Sequence, residues 1–314
     1  PAEEAQLISS YLQQQITDTS TPFGQLVHNF VKAKFREKAE QHRVRDAQLM
    51  NQMSAKPDDN DQLVDLREAN ASPSTSMSAS LSASMGGNET AQTFVDDLVA
   101  TISRRHRLLR TNSTRIAVVT ATVEQILYAE ILKLYQKTFA SRDEALEKKT
   151  RQLLTLSLAH LGVPQRLWLV SPDVTAPPYD DAIATLKQLP NKATPAAKLR
   201  VMVDSCAAIG SAVTAHANAN DWPENDKILT ADLLLPLLTY VVVRAGVPLL
   251  YSCTRFLEDF ISESDEIHEE GYTLATFQTC LAVIEQIDAV SMGKSVSDIF
   301  RKTLEDGDNI IIQL

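Results

Sequence analysis

The chain has 314 residues, and its 30 Lys and Arg against 40 Asp and Glu give a formal net charge of −10. With 44% hydrophobic and 22% charged residues it has the composition of a globular protein, which excludes a wholly disordered or fibrous chain. Only 9 residues are Gly, which argues against a turn-rich β-sandwich and against a glycine-rich nucleotide-binding fold. The length allows one large or two modest domains.

Cysteine usage and hydropathy predict a reduced, intracellular and soluble protein. Cys206, Cys253 and Cys280 are too far apart in sequence to suggest a metal-binding pair, and their odd number argues against a disulfide framework. The longest apolar run, residues 233–243, is too short to span a bilayer, so we expect no transmembrane segment. The chain begins at Pro1 rather than Met and ends on an apolar segment, which suggests that both ends are cut from a longer protein.

Acidic residues are concentrated between residues 221 and 290, where 13 Asp and Glu outnumber 3 Lys and Arg. This excess disfavours nucleic acid as a partner and favours a basic or cation-containing protein surface. A solvated acidic face that only maintains solubility is the alternative. Basic residues cluster at 32–45 and 104–110, mainly as exposed helix faces, with transient contact to acidic lipid as the alternative interpretation.

The first part of the chain reads as two helices followed by a loop. We predict helices over 3–17 and 22–54, the second beginning at Thr21-Pro22 with Pro in the first turn. Residues 57–93 interrupt this pattern, and Ser occupies every second position from Ser72 to Ser84. Such a segment cannot bury enough apolar surface to become ordered, so we predict a flexible loop.

From residue 93 onward the helical period of apolar residues returns, and no stretch alternates with period two for long enough to predict a sheet. Thr194-Pro195 marks the start of one helix, and Thr230 or Asp232 the start of an apolar helix that ends at Gly246. Further helices are predicted at about 248–262, 272–287 and 296–304. The predicted fold class is all-α.

No motif supports covalent catalysis, a metal site or a cofactor. Gly293-Lys294-Ser295 resembles the end of a phosphate-binding loop, but position 288 is Asp rather than Gly and a helix precedes the motif. The six His residues are scattered without metal-ligand spacing. We therefore predict neither a metal nor a cofactor.

Residues 230–245 form the most informative stretch, because a helix that is apolar on nearly all sides begins with a single carboxylate, Asp232. Taken alone, Asp232 fits an N-cap or first-turn acid, and Pro236 fits a first-turn proline. Tyr272 fits an aromatic residue that packs on the core where a later helix begins. These local interpretations remain open on the residues alone.

Between residues 231 and 285 several short motifs follow one another in a fixed order. They are Ala231-Asp232-(three residues)-Pro236, Arg244-Ala245, Pro248-Leu249-Leu250-Tyr251-Ser252, Arg255-Phe256-Leu257-Glu258-Asp259-Phe260, Glu270-Gly271-Tyr272 and Ala282-Val283-Ile284-Glu285. Leu167-Trp168 and Thr194-Pro195 precede them. Their order and spacing resemble the Vps-nine domain, which is named after the ninth vacuolar-protein-sorting gene. The resemblance covers roughly residues 140–289.

The resemblance implies a layered helical domain braced by a preceding helical bundle. It divides the chain into a bundle region at 1–139 with the loop at 57–93, a Vps-nine domain at 140–290, and a C-terminal helix and tail at 291–314. It also implies guanine nucleotide exchange on a Rab-five-class small GTPase, without covalent chemistry, by a cytoplasmic protein that acts peripherally on endosomes.

The resemblance assigns roles to individual residues. Asp232 corresponds to the acidic finger that reaches the phosphate-binding loop of the GTPase, and Tyr272 to the tyrosine that meets its switch region. The remaining implied GTPase-binding residues are Leu233, Pro236, Gly271, Ala275 and Thr276.

Four positions depart from the family pattern. Leu233 replaces a second acid, Ala275 replaces a Thr, and Gly246 and Cys253 replace Asn residues. Such losses would weaken exchange or change the preferred GTPase. The alternative is therefore a non-catalytic helical adaptor in endosomal trafficking that retains the domain to bind partners.

Overall fold

The computed structural model describes residues 2–54, 87–106, 112–169, 177–223, 227, 229–261 and 269–287. Within these ranges the chain is helical or irregular and contains no strand, so the predicted all-α class is confirmed. No helix in the described ranges combines the length and the apolarity needed to cross a bilayer.

The N-terminal half is built around one long central helix. Its elements are α1 (Ala2–Thr17), α2 (Pro22–Lys34), α3 (Arg36–Ser54), α4 (Gly87–Arg105) and α5 (Ser113–Thr138). The four earlier helices all pack against α5, whose inward face is buried. Thr21 begins α2 as predicted, because its side chain accepts a hydrogen bond of 3.0 Å from the Gly24 N–H.

The C-terminal half consists of α6 (Ala140–Gln152), α7 (Asp180–Leu186), α8 (Pro195–Ala219), α9 (Ala231–Ala245), α10 (Leu250–Glu258) and α11 (Glu269–Gln286). Short 3-10 segments lie at Gln165–Leu167 and Leu189–Asn191. Helices α8, α9 and α11 pack on one another, and α7 packs on α8 and α9. Thr194 caps α8 as expected, accepting from the Ala197 N–H.

The two halves share one hydrophobic core. Helix α10 packs on α5, where the Tyr135 and Phe256 rings lie 5.9 Å apart in an edge-on arrangement. Beyond α10, Phe260 stacks on Phe35 at 5.5 Å and meets Tyr128 edge-on at 5.5 Å. Aromatic contacts of this kind add to the stabilisation from the buried area itself.

The single helix predicted over 22–54 is wrong, because the structure has two helices that meet at Phe35. Phe35 has φ −112° and ψ −17°, and its side chain is fully buried. Burial of this ring against Phe260, a contact far away in sequence, outweighs the local preference for an unbroken helix.

Two other helix boundaries in the structure differ from the predicted ones. The helix predicted from residue 93 begins at Gly87, and the helix predicted over 272–287 begins at Glu269. The rest of the predicted loop and the C-terminal helix and tail at 291–314 lie outside the described residues.

Candidate functional site

Asp232 is the second residue of α9, and its side chain is exposed. Thr230 occupies the N-cap position but makes no capping hydrogen bond through its side chain. Asp232 is therefore a first-turn acid rather than an N-cap, where the positive end of the helix dipole stabilises its charge. Its carboxylate makes no hydrogen bond or ion pair with another side chain in the described ranges, so it can receive a group from another molecule.

Pro236 lies inside α9 and is buried, so the interpretation as a first-turn proline is wrong. Proline has no N–H, and the residue four positions earlier is Asp232. The Asp232 carbonyl therefore lacks its usual intrahelical donor, and the proline ring crowds that carbonyl. The four-residue spacing between the acid and the proline thus leaves the Asp232 carbonyl outside the hydrogen-bond pattern of the helix.

An apolar surface formed by Leu229, Leu233 and Leu234 lies next to Asp232 in the chain. Leu233 and Leu234 are half-buried and pack against the core, as does Leu229 just before the helix. From Leu235 to Val243 the helix is buried on all sides. Only the first turn of α9 therefore offers both a charge and apolar surface to a partner.

Tyr272 lies on the outward face of α11, and 49% of its surface is exposed. Ala275 and Thr276 follow at three and four residues, so they share this face and are half-buried. The Thr276 hydroxyl donates to the Tyr272 carbonyl at 2.7 Å. Gly271, also half-buried, precedes Tyr272 within the first turn of α11.

The inward face of α11 holds it in the core. Its buried residues recur with helical spacing and are Thr273, Leu274, Phe277, Cys280, Leu281, Val283 and Ile284. The face that carries Tyr272 is the complementary one, and no described element covers the Tyr272 ring.

Helices α9 and α11 are in contact and run in the same direction. The Cys280 thiol donates to the Thr239 hydroxyl at 3.5 Å, which sets their register. At the far end, Arg142 binds Glu285 near the end of α11, and the neighbouring Asp143 accepts from the Ser252 N–H, shortly after α9 ends. Both helices therefore end near the start of α6.

This register brings the two predicted residues to the same end of the helix pair. Asp232 precedes Thr239 by about 10 Å along the axis of α9, and Tyr272 precedes Cys280 by about 12 Å along α11. The family resemblance assigns a role to each of these residues but gives no information on their spatial relation. One end of the two packed helices therefore carries an exposed carboxylate, an apolar surface and an exposed aromatic ring. Such a combination can bind a cation and apolar side chains of a partner together.

Comparison with known proteins finds a family match in this part of the chain. Residues 179–289 match the family model described as the vacuolar sorting protein 9 (VPS9) domain. Residues 179–289 are therefore similar to a VPS9 domain. VPS9 domains are guanine nucleotide exchange factors for small GTPases. The match includes Asp232, Pro236 and Tyr272, so it agrees with the resemblance read from the sequence.

A human relative carries the same domain in its name. The chain is 30% identical over 178 residues to VPS9 domain-containing protein 1 of Homo sapiens. The aligned segment covers 54% of this chain but only 28% of the human protein.

Two departures from the VPS9 pattern lie away from the exposed end of α9 and α11. Gly246 ends α9 with φ 57°, a left-handed conformation that Gly and Asn both adopt more readily than other residues. A Gly in place of the usual Asn therefore preserves the helix end. Cys253 is buried in α10, where burial raises the pKa of its thiol to about 11.

A partly buried polar cluster between α3, α10 and α11 was not predicted from the sequence. Glu258 accepts hydrogen bonds from Arg45, Arg255 and Gln278, at 2.6, 2.9 and 3.1 Å. Burial raises the pKa of Glu258, but the nearby cations outweigh this and hold it below its usual value. The two adjacent acids after Arg255 in an otherwise apolar helix were the available signal.

A metal site has no support in the described ranges. No group of three or more His, Cys, Asp or Glu residues there is arranged to hold an ion. The exposed end of α9 and α11 offers Asp232 and the first-turn acids of α11, Glu269 and Glu270, beside apolar and aromatic neighbours.

Proposed function

We propose that this chain is a guanine nucleotide exchange factor that accelerates GDP release from a Rab-five-class GTPase, acting peripherally at endosomes. The observation that carries the proposal is the exposed Asp232 carboxylate at the same end of the α9–α11 pair as the exposed Tyr272 ring. The match to the VPS9 domain supports the same reaction class.

In this mechanism the carboxylate competes with a phosphate. Small GTPases hold GDP through a Lys and a magnesium ion at the β-phosphate. A carboxylate presented to that Lys replaces one phosphate interaction, and its charge disturbs the coordination of the ion. At about 4 Å and an effective dielectric constant near 20, the pair contributes at most about 4 kcal/mol before desolvation.

The neighbouring groups bind the displaced switch residues. Leu233 and Leu234 offer half-buried apolar surface beside the carboxylate, and Tyr272 with Ala275 and Thr276 offers a second contact on α11. Energy from these contacts offsets the cost of opening the nucleotide site. Thermodynamic linkage then requires reciprocity. Bound nucleotide lowers the affinity of the GTPase for the exchange factor by the same factor by which the exchange factor lowers its affinity for nucleotide.

The acidic charge of this region favours a cationic partner site. Residues 221–290 contain 13 Asp and Glu but only 3 Lys and Arg. This negative charge would steer the domain toward the Lys-bearing phosphate site of a GTPase. The association rate should therefore fall as ionic strength rises.

The experiment is a screen of labelled GDP release across Rab GTPases, with Asp232→Ala as the test variant. We expect the wild-type chain to accelerate release from a Rab-five-class member, and Asp232→Ala to return the rate to within a few-fold of the uncatalysed one. Glu89→Ala is the matched control, because Glu89 is also an exposed first-turn acid, on α4 outside the matched domain.

Two outcomes would contradict the proposal. One is undiminished GDP release with folded Asp232→Ala. The other is complex formation that is independent of nucleotide, without acceleration for any Rab, which is the behaviour of an adaptor.

A further inference from the structure

Glu258, the last residue of α10, joins its own helix to α11 and to the sequence-distant α3. Arg45 of α3 donates to one carboxylate oxygen at 2.6 Å, while Arg255 of α10 and Gln278 of α11 donate to the other at 2.9 and 3.1 Å. The Glu258 side chain is 22% exposed. Because hydrogen bonds to a partly desolvated charge are stronger than neutral ones, Glu258 restrains all three helices together.

The surrounding contacts fix Glu258 itself. The second terminal nitrogen of Arg255 pairs with Asp46 of α3 at 2.8 Å, and Asp46 also accepts from the Tyr251 hydroxyl at 2.7 Å. The His42 ring lies 3.8 Å from Glu258, and its Nε2–H donates to the Asp259 carboxylate at 3.1 Å. Helix α3 therefore holds the end of α10 through several charged groups.

The Glu258 cluster contacts α11 close to the end of α11 that carries Tyr272. Three described polar contacts link α11 to other helices, through Gln278, Cys280 and Glu285. Gln278 is the nearest of these to Tyr272, six residues away, or about 9 Å along the helix axis. The hydrogen bond to Glu258 is thus the polar restraint that acts nearest the Tyr272 face.

We propose that Glu258 is a positioning residue through which α3 sets the placement of α11, and with it Tyr272, for GTPase binding. This inference rests on the proposed exchange function. Glu258 touches no reacting group in this account, and it acts on affinity for the GTPase rather than on the step in which Asp232 competes with phosphate.

Two variants interrupt the path on either side of Glu258. Arg45→Gln removes the cation from α3 at a side chain that is 43% exposed, and Gln278→Leu removes the donor from α11 with little change in volume. Arg43→Gln is the matched control, because Arg43 lies on the same helix and pairs only with Glu40 of that helix in the described ranges.

The measurement is the rate of GDP release against the concentration of a GTPase that the wild-type chain activates. We expect Arg45→Gln and Gln278→Leu each to raise the half-saturating concentration about three- to tenfold and to leave the maximal rate intact. The effects of the two substitutions should be less than additive in the double variant, since each removes a donor from the same Glu258 carboxylate. Arg43→Gln should match wild type.

Additive effects in the double variant, or an Arg45→Gln profile identical to that of Arg43→Gln, would overturn the inference. If the wild-type chain activates no GTPase, the proposed function fails and amide hydrogen exchange decides the inference alone. Faster exchange in residues 269–277 of Arg45→Gln than of Arg43→Gln supports positioning by Glu258, and equal exchange overturns it.

Discussion

Asp232 is available to a partner because of what its neighbours do. The cap position before α9 belongs to Thr230, and the proline four residues later frees the Asp232 carbonyl from the helix ladder. The carboxylate therefore contributes to stability only through the helix dipole, which is a small effect at an exposed site. Its removal should cost the fold little and the proposed activity much.

Tyr272 permits a second test at the residue scale. Tyr272→Ala should weaken GTPase binding by about 2 kcal/mol, or roughly 30-fold, because exposed tyrosines that become buried in an interface are typical hot spots. The half-saturating concentration in GDP release measures this change. Tyr11→Ala is the control, since Tyr11 of α1 is 46% exposed against 49% for Tyr272. Equal effects of the two variants would contradict a specific role for Tyr272.

At the scale of helices, two glycines differ in the space around them, so replacing each by Ala separates the effect of close packing from that of helix propensity. A Cβ atom at Gly24 of α2 would lie 2.0 Å from the Asp18 carbonyl oxygen, whereas one at Gly210 of α8 would meet nothing within 4 Å. Gly24→Ala should therefore destabilise the chain by about 1–3 kcal/mol. Gly210→Ala should stabilise it by about 0.5–1 kcal/mol, because Ala favours the helix.

The measurement for both glycines is the free energy of unfolding from chemical denaturation. Stabilisation by Gly24→Ala would contradict the close approach of α2 to the Asp18 backbone. Destabilisation by Gly210→Ala would show that α8 is more closely covered at that position than the structure indicates.

The helix boundaries that the sequence could predict are those set by local signals. Thr21 and Thr194 are local signals, since each caps a helix that starts at the next residue, and both starts are confirmed. The break at Phe35 depends on a ring contact with Phe260, and no local pattern encodes a contact over that distance. The family resemblance proposes Asp232 and Tyr272 as site residues, but only the packing of α9 on α11 relates them in space.

The Glu258 cluster escaped prediction for a similar reason. Its donors come from α3, α10 and α11, and Arg45 is separated from Glu258 by 213 positions in the chain. The i,i+3 pair of Arg255 and Glu258 is visible in the sequence, but it is also typical of an ordinary exposed helix face.

For the whole molecule, the junction between the two halves should make stability depend on pH. Burial raises the pKa of Asp259, but the hydrogen bond and charge of His42, with the hydrogen bond from Tyr135, outweigh it and lower the pKa overall. A carboxyl whose pKa is lower in the folded state stabilises the fold above its unfolded pKa of about 3.9. That contribution is lost as the pH falls through the folded value.

Asp259→Asn should remove this contribution. Burial raises the pKa values of Asp143 and Glu285, which therefore act in the opposite direction, so the difference between variant and wild type is the informative quantity. We expect the destabilisation caused by Asp259→Asn to be largest above about pH 5 and to shrink as the pH falls toward 3. Unfolding curves at several pH values test this, and a difference that does not vary with pH would contradict it.

The central claim for the whole molecule is that Asp232 and bound nucleotide compete for one site on a GTPase. The most direct measurement is the affinity of the chain for the same GTPase in its nucleotide-free form and in its GDP- and magnesium-bound form, for wild type and Asp232→Asn. We predict that wild type binds the nucleotide-free form far more tightly, and that Asp232→Asn loses most of this preference. Equal affinity of the wild-type chain for the two forms would contradict the account.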